Sequence, residues 1–225
     1  MIVMLERLKC FDILSGLSND KIVELSKYMT PMSFDKGDVI ILEEEPSDHI
    51  YLVDSGIIKV FRTSYDGKEL ILYFLRPGEV LNEAPLKALE SNLVSAQALG
   101  PTKILSLSKD KFQRIITEEP KAAVKVLERI CEQLKRIMNI LGDIAFKKVA
   151  NRLARIILEH VSDTTGTPRR ISQQEMASMA GTAREVVSRS LRDLEDGGLI
   201  RIERNRIYIK DRASLERLTL GTKLN

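Results

Sequence analysis

The chain has 225 residues, 44% hydrophobic and 30% charged, with a formal net charge of +3. This composition describes a soluble globular protein of one large or two small domains, and the net charge by itself announces no nucleic-acid partner. The charges are unevenly spread, however: Asp and Glu outnumber Lys and Arg in the first half, and Arg clusters after Phe146. That asymmetry suits one domain on DNA and another with a different task.

In chain order, residues 19–29 read as a helix with Ser18 as its N-cap. From Met32 to Ser108 the pattern changes to short strands between turn signals. The strands are residues 39–42, 50–53, 57–62, 70–75 and 94–99. The turns fall at Asp35-Lys36-Gly37-Asp38, Asp54-Ser55-Gly56, Tyr65-Asp66-Gly67-Lys68, Arg76-Pro77-Gly78-Glu79 and Leu99-Gly100-Pro101. Asp66-Gly67 is the clearest hairpin turn. Strands at this spacing predict a barrel or a double-sheet roll.

Pro120 suits the first turn of a long helix. Ala123, Leu127, Ile130, Leu134, Ile137, Leu141 and Ile144 then follow at alternating spacings of four and three. That is a heptad seam, and Glu128, Lys135 and Arg136 lie off it. The spacing predicts a helix paired in parallel with its twin, so the first expected partner is a second copy of the chain. The alternative is an amphipathic helix packed on its own domain. Residues 145–160 read as a short linking helix, and residues 162–168 as a polar loop.

The stretch from Ile171 to Glu195 carries the most information. Ser172 with Glu175, and Thr182 with Glu185, each have capping-box spacing. Gly181 between them can take the backbone angles of a tight inter-helix turn. In the second helix Val187, Leu191 and Leu194 form a stripe suited to burial. The opposite face carries Glu185, Ser188, Arg189 and Arg192, with Arg184 beside them, where a recognition helix presents side chains to the major groove. Two capped helices with charged outer faces also occur without DNA, and Glu185 could serve only as a cap. The segment after the second helix is more specific. Residues 199–203 and 206–210 alternate apolar and polar, joined by Arg204-Asn205, as in a two-stranded wing whose Arg201, Arg204 and Arg206 can meet phosphates. The final residues, 221–225, are expected to fray.

Other classes find little support. The longest apolar runs, such as residues 71–75, fall far short of the roughly 20 residues a membrane span needs, and the N-terminus lacks a signal-peptide layout. No membrane partner is expected, and the expected location is the cytoplasm. Cys10 and Cys131 are expected to be buried, reduced thiols, and four clustered cysteines for an iron–sulfur centre are absent. No Ser-His-Asp, metal-ligand or phosphate-loop spacing appears, so no catalytic residue, metal site or enzymatic activity is expected. A dimerising interaction module that does not read sequence is the remaining alternative.

The succession of roll, long helix and winged helix-turn-helix resembles the cyclic-AMP receptor protein and fumarate–nitrate regulator family of bacterial transcription factors. The motifs are Asp48-His-Ile-Tyr-Leu-Val-Asp-Ser-Gly56, Pro77-Gly-Glu-Val-Leu-Asn-Glu83, and Gln174-Glu-Met-Ala with Ser188-Arg189. The resemblance covers almost the whole chain. It implies an α+β fold: a β-roll sensor domain at residues 1–118, a dimerisation helix at 119–145 and a winged helix-turn-helix DNA-binding domain at 146–225. It implies base contacts from Arg184, Glu185, Ser188 and Arg189, and a palindrome of half-sites close to TGTGA or TTGTGA. Phosphate contacts fall on Ser172, Gln174, Thr182 and Ala183, the last through its backbone amide, with Arg204 added from the wing. RNA polymerase is an expected partner.

The sensor half departs from the family's cyclic-nucleotide pattern. Glu83 is present, but Asn82 stands where a glycine is expected. The phosphate-binding arginine falls on Val94, or on Leu93 in a shifted alignment, and only Ser95-Ala96 remains of that motif. A buried phosphate without its cation is costly. The polar pair that meets the adenine aligns with Ile137 and Met138. Cyclic AMP is therefore not the expected effector. Leu81, Val94, Leu134, Ile137 and Met138 make the expected pocket apolar, which suits haem, a hydrophobic metabolite or nothing. The haem-ligating side chains on offer are His49, His160, Met138, Cys10 and Cys131. A regulator that needs no effector is the other alternative.

Overall fold

The structure, a computed structural model, describes residues 2–46, 48–82, 91–161, 171–203 and 206–220. Expectations for Glu83, for residues 162–168, for the Arg204-Asn205 connection and for residues 221–225 lie outside the described residues. The described chain divides into two compact units. The first comprises residues 1–62 and 73–136; the second comprises residues 63–72 and 137–225.

The first unit opens with α1 (Ile2–Lys9), a single 3₁₀ turn (Asp12–Leu14) and α2 (Asn19–Ser26). The Ser18 side chain accepts from the Lys21 amide, so the predicted cap is present, but α2 ends three residues short of Met29. Eight strands follow: β1 (Thr30–Phe34), β2 (Val39–Ile41), β3 (His49–Ser55), β4 (Ile58–Thr63), β5 (Glu69–Leu75), β6 (Val80–Leu81), β7 (Ser95–Ala98) and β8 (Thr102–Ser108). They form two four-stranded sheets, ordered β1-β8-β3-β6 and β2-β7-β4-β5, and their paired neighbours run antiparallel. β1, β6 and β8 are not among the strands expected from the sequence. β1 is an edge strand with mostly exposed side chains, and β6 has two residues, so neither carries a strong alternation.

Alternation along the strands divides the apolar side chains between two cores. Leu52 and Val80 join Ile50 and Leu107 beneath the helices, with Phe11, Leu25 and Phe112. Their neighbours Val53 and Leu81 join Ile41, Ile58, Val60, Leu75 and Ile104 between the sheets. Gly56 turns the chain from β3 to β4 at φ +91°, where an added Cβ would lie 2.4 Å from the Thr102 hydroxyl oxygen. No other residue type suits that position.

After β8 come α3 (Lys109–Glu118) and the long α4 (Pro120–Phe146). α5 (Val149–His160) follows after a break at Lys147-Lys148, so the single helix expected over 145–160 is the end of α4 plus a separate helix. The second unit continues with α6 (Gln173–Ala180), α7 (Arg184–Asp196), β9 (Ile200–Glu203), β10 (Arg206–Ile209) and α8 (Arg212–Thr219). Its core gathers Leu153, Ile157, Met176, Val187, Leu191, Leu194, Leu199 and Leu215. The fold is the expected α+β succession of antiparallel roll, long helix and winged helix-turn-helix.

Candidate nucleic-acid interface

α6 begins with the predicted capping box. Ser172 Oγ accepts the Glu175 amide at 3.1 Å, and Glu175 Oε2 accepts the Ser172 amide at 2.9 Å. The helix closes at Gly181, whose φ of 60° and ψ of 48° lie in the left-handed region. The side chains of Ile144 and Leu70 stand 3.2 and 3.3 Å from where a Cβ would sit. The elbow therefore favours glycine for its backbone angle, and an added Cβ would also press on these two side-chain methyls.

The second capping box is not formed. α7 takes Ala183 as its N-cap, without a side-chain cap, and the Val186 and Val187 amides reach back to the Ala183 carbonyl. Thr182 lies one residue too early, and its own amide is used by the Ala177 carbonyl in closing α6. A short elbow cannot let one residue both finish one helix and cap the next. Glu185 is thereby released from the reciprocal cap and stands exposed in the first turn.

The two faces of α7 separate cleanly. Val187, Ser190, Leu191 and Leu194 are buried, whereas Arg184, Glu185, Arg189 and Arg192 are exposed and Ser188 is half-buried. Among the described residues, none of these three arginines is in an ion pair with an acid, so the face keeps a net positive charge. Ser172 and Gln174 at the start of α6 and Ala183 at the elbow are exposed as well, and Thr182 is half-buried. The wing is as predicted: β9 and β10 pair with Ile200 opposite Ile209 and Ile202 opposite Ile207. Arg201 and Arg206 are exposed, although Arg201 is ion-paired with Glu203 on the same strand. Glu195 Oε1 accepts the Ile202 amide at 2.7 Å, fixing the wing to α7.

The structure supplies a joint that sequence reasoning misses. Arg152 is buried in α5, and its Nη1 donates to the carbonyls of Asp143 and Ile144 at 3.3 Å and of Lys147 at 2.9 Å. The Asp143 carbonyl also accepts the Lys147 amide at 3.1 Å, whereas those of Ile144, in the last turn of α4, and Lys147, just past it, lie where helix carbonyls run out of backbone partners. The buried Asp143 carboxylate is held by Lys147 and Arg155, each at 2.8 Å. Burial lowers the Arg152 pKa, and the Asp143 charge works in the opposite direction. The available signal is helical phase: Arg152 lies one turn before the buried Ile156, on the apolar side of α5.

Along α4 the seam divides. Ala123 and Ile130 pack partly buried against the first unit's core, because this part of the helix also closes the roll. Leu127, Leu134, Ile137, Leu141 and Ile144 are exposed, as are Val124 and Met138. Cys10 and Cys131 are exposed free thiols, contrary to the expected burial. Cys131 follows Ile130 on the outward side of α4, and Cys10 sits just past the end of α1. Of the expected pocket residues, Leu81 is buried between the sheets with Val94 packed against that core, and Ser95 is buried with its hydroxyl accepting the Glu43 amide. Asn82 has a φ of 64°, and its side-chain amide donates to the His49 carbonyl at 2.9 Å and Asn92 Oδ1 at 3.1 Å. Asn thus keeps the left-handed backbone that a glycine would adopt there. His49 is exposed, and His160 ends α5 half-buried. Among the described residues, no group of three His, Cys, Asp or Glu side chains could hold a metal ion, and no helix is long and apolar enough to cross a membrane.

An antiparallel roll, a long helix and a winged helix-turn-helix with an arginine-lined recognition helix define a class of DNA-binding transcription regulators. Comparison with known proteins agrees. A cyclic nucleotide-binding domain model matches residues 31–119, and a Crp-like helix-turn-helix model matches residues 151–218. A CRP-like cAMP-activated global transcriptional regulator of Mycobacterium tuberculosis is 28% identical over 213 residues, covering 91% of this chain and 95% of that protein. The cAMP-activated global transcriptional regulator CRP of Pasteurella multocida is 31% identical over 164 residues, covering 69% of this chain and 78% of that protein. A Crp/Fnr-family structure from Eubacterium rectale superposes with a TM-score of 0.81 at 22% identity, covering 94% of this chain and 99% of that one. The chain belongs to the cyclic-AMP receptor protein/fumarate–nitrate regulator (Crp/Fnr) family, whose members are transcription regulators rather than enzymes.

Proposed function

We propose that this regulator acts as a homodimer, reads a palindrome of TGTGA-like half-sites, and is gated by an effector other than cyclic AMP. The carrying observation is the exposed face of α7, where Arg184, Glu185 and Arg189 stand clear of the buried Val187, Leu191 and Leu194. Arginine suits the O6/N7 edge of guanine, and Glu185 can accept from a cytosine amino group. Ser188 completes the base-reading set. Ser172, Gln174, Thr182, the Ala183 amide and Arg204 hold phosphates and set register. The sensor is residues 1–118, the dimerisation helix 119–145 and the DNA-binding domain 146–225.

The exposed apolar ridge of Leu127, Leu134, Ile137, Leu141 and Ile144 on α4 supports pairing with a second copy. A dimer matches a palindrome, because two recognition helices then meet half-sites about one helical turn apart. RNA polymerase is the further partner, and the cytoplasm the place of action. Against cyclic AMP stand Val94 at the phosphate-binding position and Ile137 and Met138 at the adenine-binding positions. The relatives from M. tuberculosis and P. multocida are described as cAMP-activated. An apolar effector, haem included, suits the remaining side chains.

Selection from random duplexes tests the DNA reading: one palindrome should be enriched, and Arg189→Ala should abolish the preference. Equal enrichment by Arg189→Ala would show that α7 is not the reader. Adding cyclic AMP should leave affinity for the selected site unchanged. A saturable increase in that affinity would overturn the effector assignment. An absorbance spectrum taken during anaerobic haem titration separates haem from other effectors.

A further inference from the structure

We infer that Arg192 binds a DNA phosphate at the outer edge of the half-site, setting affinity and salt dependence rather than sequence; this rests on α7 being the recognition helix. At 3.6 residues per turn, Arg192 lies about 80° around the axis from Arg184, between Ser188 at about 40° and Glu185 at about 100°. It therefore shares the centre of the exposed face with the base-reading set, while Val187, Leu191 and Leu194 hold the opposite side in the core. It is exposed, and among the described residues it is in no ion pair, although Asp196 lies one turn further on.

Position along the axis separates its role from that of its neighbours. Arg192 stands about 12 Å beyond Arg184, at a rise of 1.5 Å per residue. A recognition helix offers its N-terminal residues to base edges. Residues two turns later rise toward the wall of the groove, which is a phosphate backbone. A long cation there meets an anion of uniform chemistry, whereas Arg184, Glu185 and Arg189 meet donor and acceptor patterns that differ from base to base. A phosphate contact needs positive charge but not the planar guanidinium fork, so lysine can serve.

The test is fluorescence anisotropy on the selected duplex and on a scrambled one, across a salt series, for wild type, Arg192→Ala, Arg192→Lys and Arg189→Ala. Arg192→Ala should weaken both duplexes by the same factor. The slope of log affinity against log salt should become shallower by about 1.8 for a dimer, at about 0.9 per phosphate. Arg192→Lys should restore most of the affinity and the slope, with base preference unchanged in both variants. An unchanged slope in Arg192→Ala would overturn the assignment, and so would a preference lost at one base pair, which would make Arg192 a base reader. If wild type prefers no sequence at all, it is the recognition-helix reading that fails. The side chain is exposed, so the variants should keep the wild-type melting curve, and a thermal scan checks this.

Discussion

Replacing Arg152 with Met removes a buried guanidinium while keeping most of the volume of its stem. Arg152 is 8% exposed and donates through Nη1 to three carbonyls at the end of α4, at 3.3, 3.3 and 2.9 Å. A hydrogen bond from a charged donor contributes about 1.5–3 kcal/mol, and long bonds contribute less. The two 3.3 Å bonds share one nitrogen with the third, so their contributions do not simply add. The deleted charge also removes a desolvation cost, and the Asp143 carboxylate keeps Lys147 and Arg155 at 2.8 Å. Taken together, Arg152→Met should destabilise the second unit by about 3 kcal/mol, because the Ile144 and Lys147 carbonyls lose their donor while that of Asp143 keeps the Lys147 amide. For a chain of this size that lowers the melting temperature by roughly 6–12 °C, at about 2–4 °C per kcal/mol. Calorimetry reads the global effect. Hydrogen exchange, followed by mass spectrometry on peptides spanning residues 143–157, reads the local one and should accelerate on the order of 100-fold. A variant melting within about 1 °C of wild type, with unchanged exchange in that segment, would refute the view that Arg152 holds the joint.

Ser172→Ala should destabilise the second unit by about 1 kcal/mol, because Ser172 caps α6, whereas Thr182→Ala should cost only a few tenths, because Thr182 caps nothing. Urea unfolding of the two variants side by side checks the difference, and equal losses would contradict it. Leu141→Lys places a charge on the exposed ridge of α4 and should give monomers in sedimentation velocity at concentrations where wild type is a dimer; an unchanged dimer would place the interface elsewhere. The Asp66 carboxyl, hydrogen-bonded by Lys68 and Ser64 in the β4–β5 turn, is held at a pKa of about 2 against an ordinary 3.8. A lowered acid pKa favours the folded state above the ordinary value, so that contribution should be lost as pH falls from 3.8 towards 2. An NMR titration of the Asp66 carboxyl carbon reads this directly, and a midpoint near 3.8 would remove the interaction.

How far the sequence can be read depends on where each structural cause lies along the chain. The turns at Asp66-Gly67 and Arg76-Pro77-Gly78-Glu79, the Ser18 and Ser172 caps and the Gly181 elbow each depend on a few adjacent residues, and each is legible. β1 is not, because an exposed edge strand has no buried face to generate alternation. Thr182 misleads for a related reason: the serine/threonine spacing to Glu185 is correct, but the preceding helix claims the Thr182 amide first. The burial of Arg152 is hidden because its partners are backbone carbonyls, which have no identity in the sequence. The exposure of Cys131 reflects helical phase. It lies one residue past Ile130, about 100° around the axis from the side that packs on the roll.

The same logic explains why the two halves of the regulator differ in legibility. A recognition helix draws its chemistry from one stretch of about ten residues, so the pattern that buries Val187, Leu191 and Leu194 also determines which side chains face outward. The sensor draws on residues that are distant in sequence and change meaning singly. Asn82 shows this. Its side-chain amide is engaged by His49 and Asn92, while its φ of 64° preserves the glycine-like backbone. The loop geometry can therefore persist while the chemistry presented to an effector changes. Val94 is the complementary case: the strand register begins at Ser95 opposite Phe61, and an apolar side chain precedes it where the family resemblance expects a cation. If the proposed effector reading holds, a single substitution should not confer cyclic AMP binding. On the proposed reading a Val94→Arg variant supplies a phosphate partner but leaves Ile137 and Met138 apolar where the family resemblance expects the adenine's polar contacts. Calorimetric titration of that variant with cyclic AMP should show no saturable heat, and tight binding by this single change would mean that the missing cation alone excludes the nucleotide.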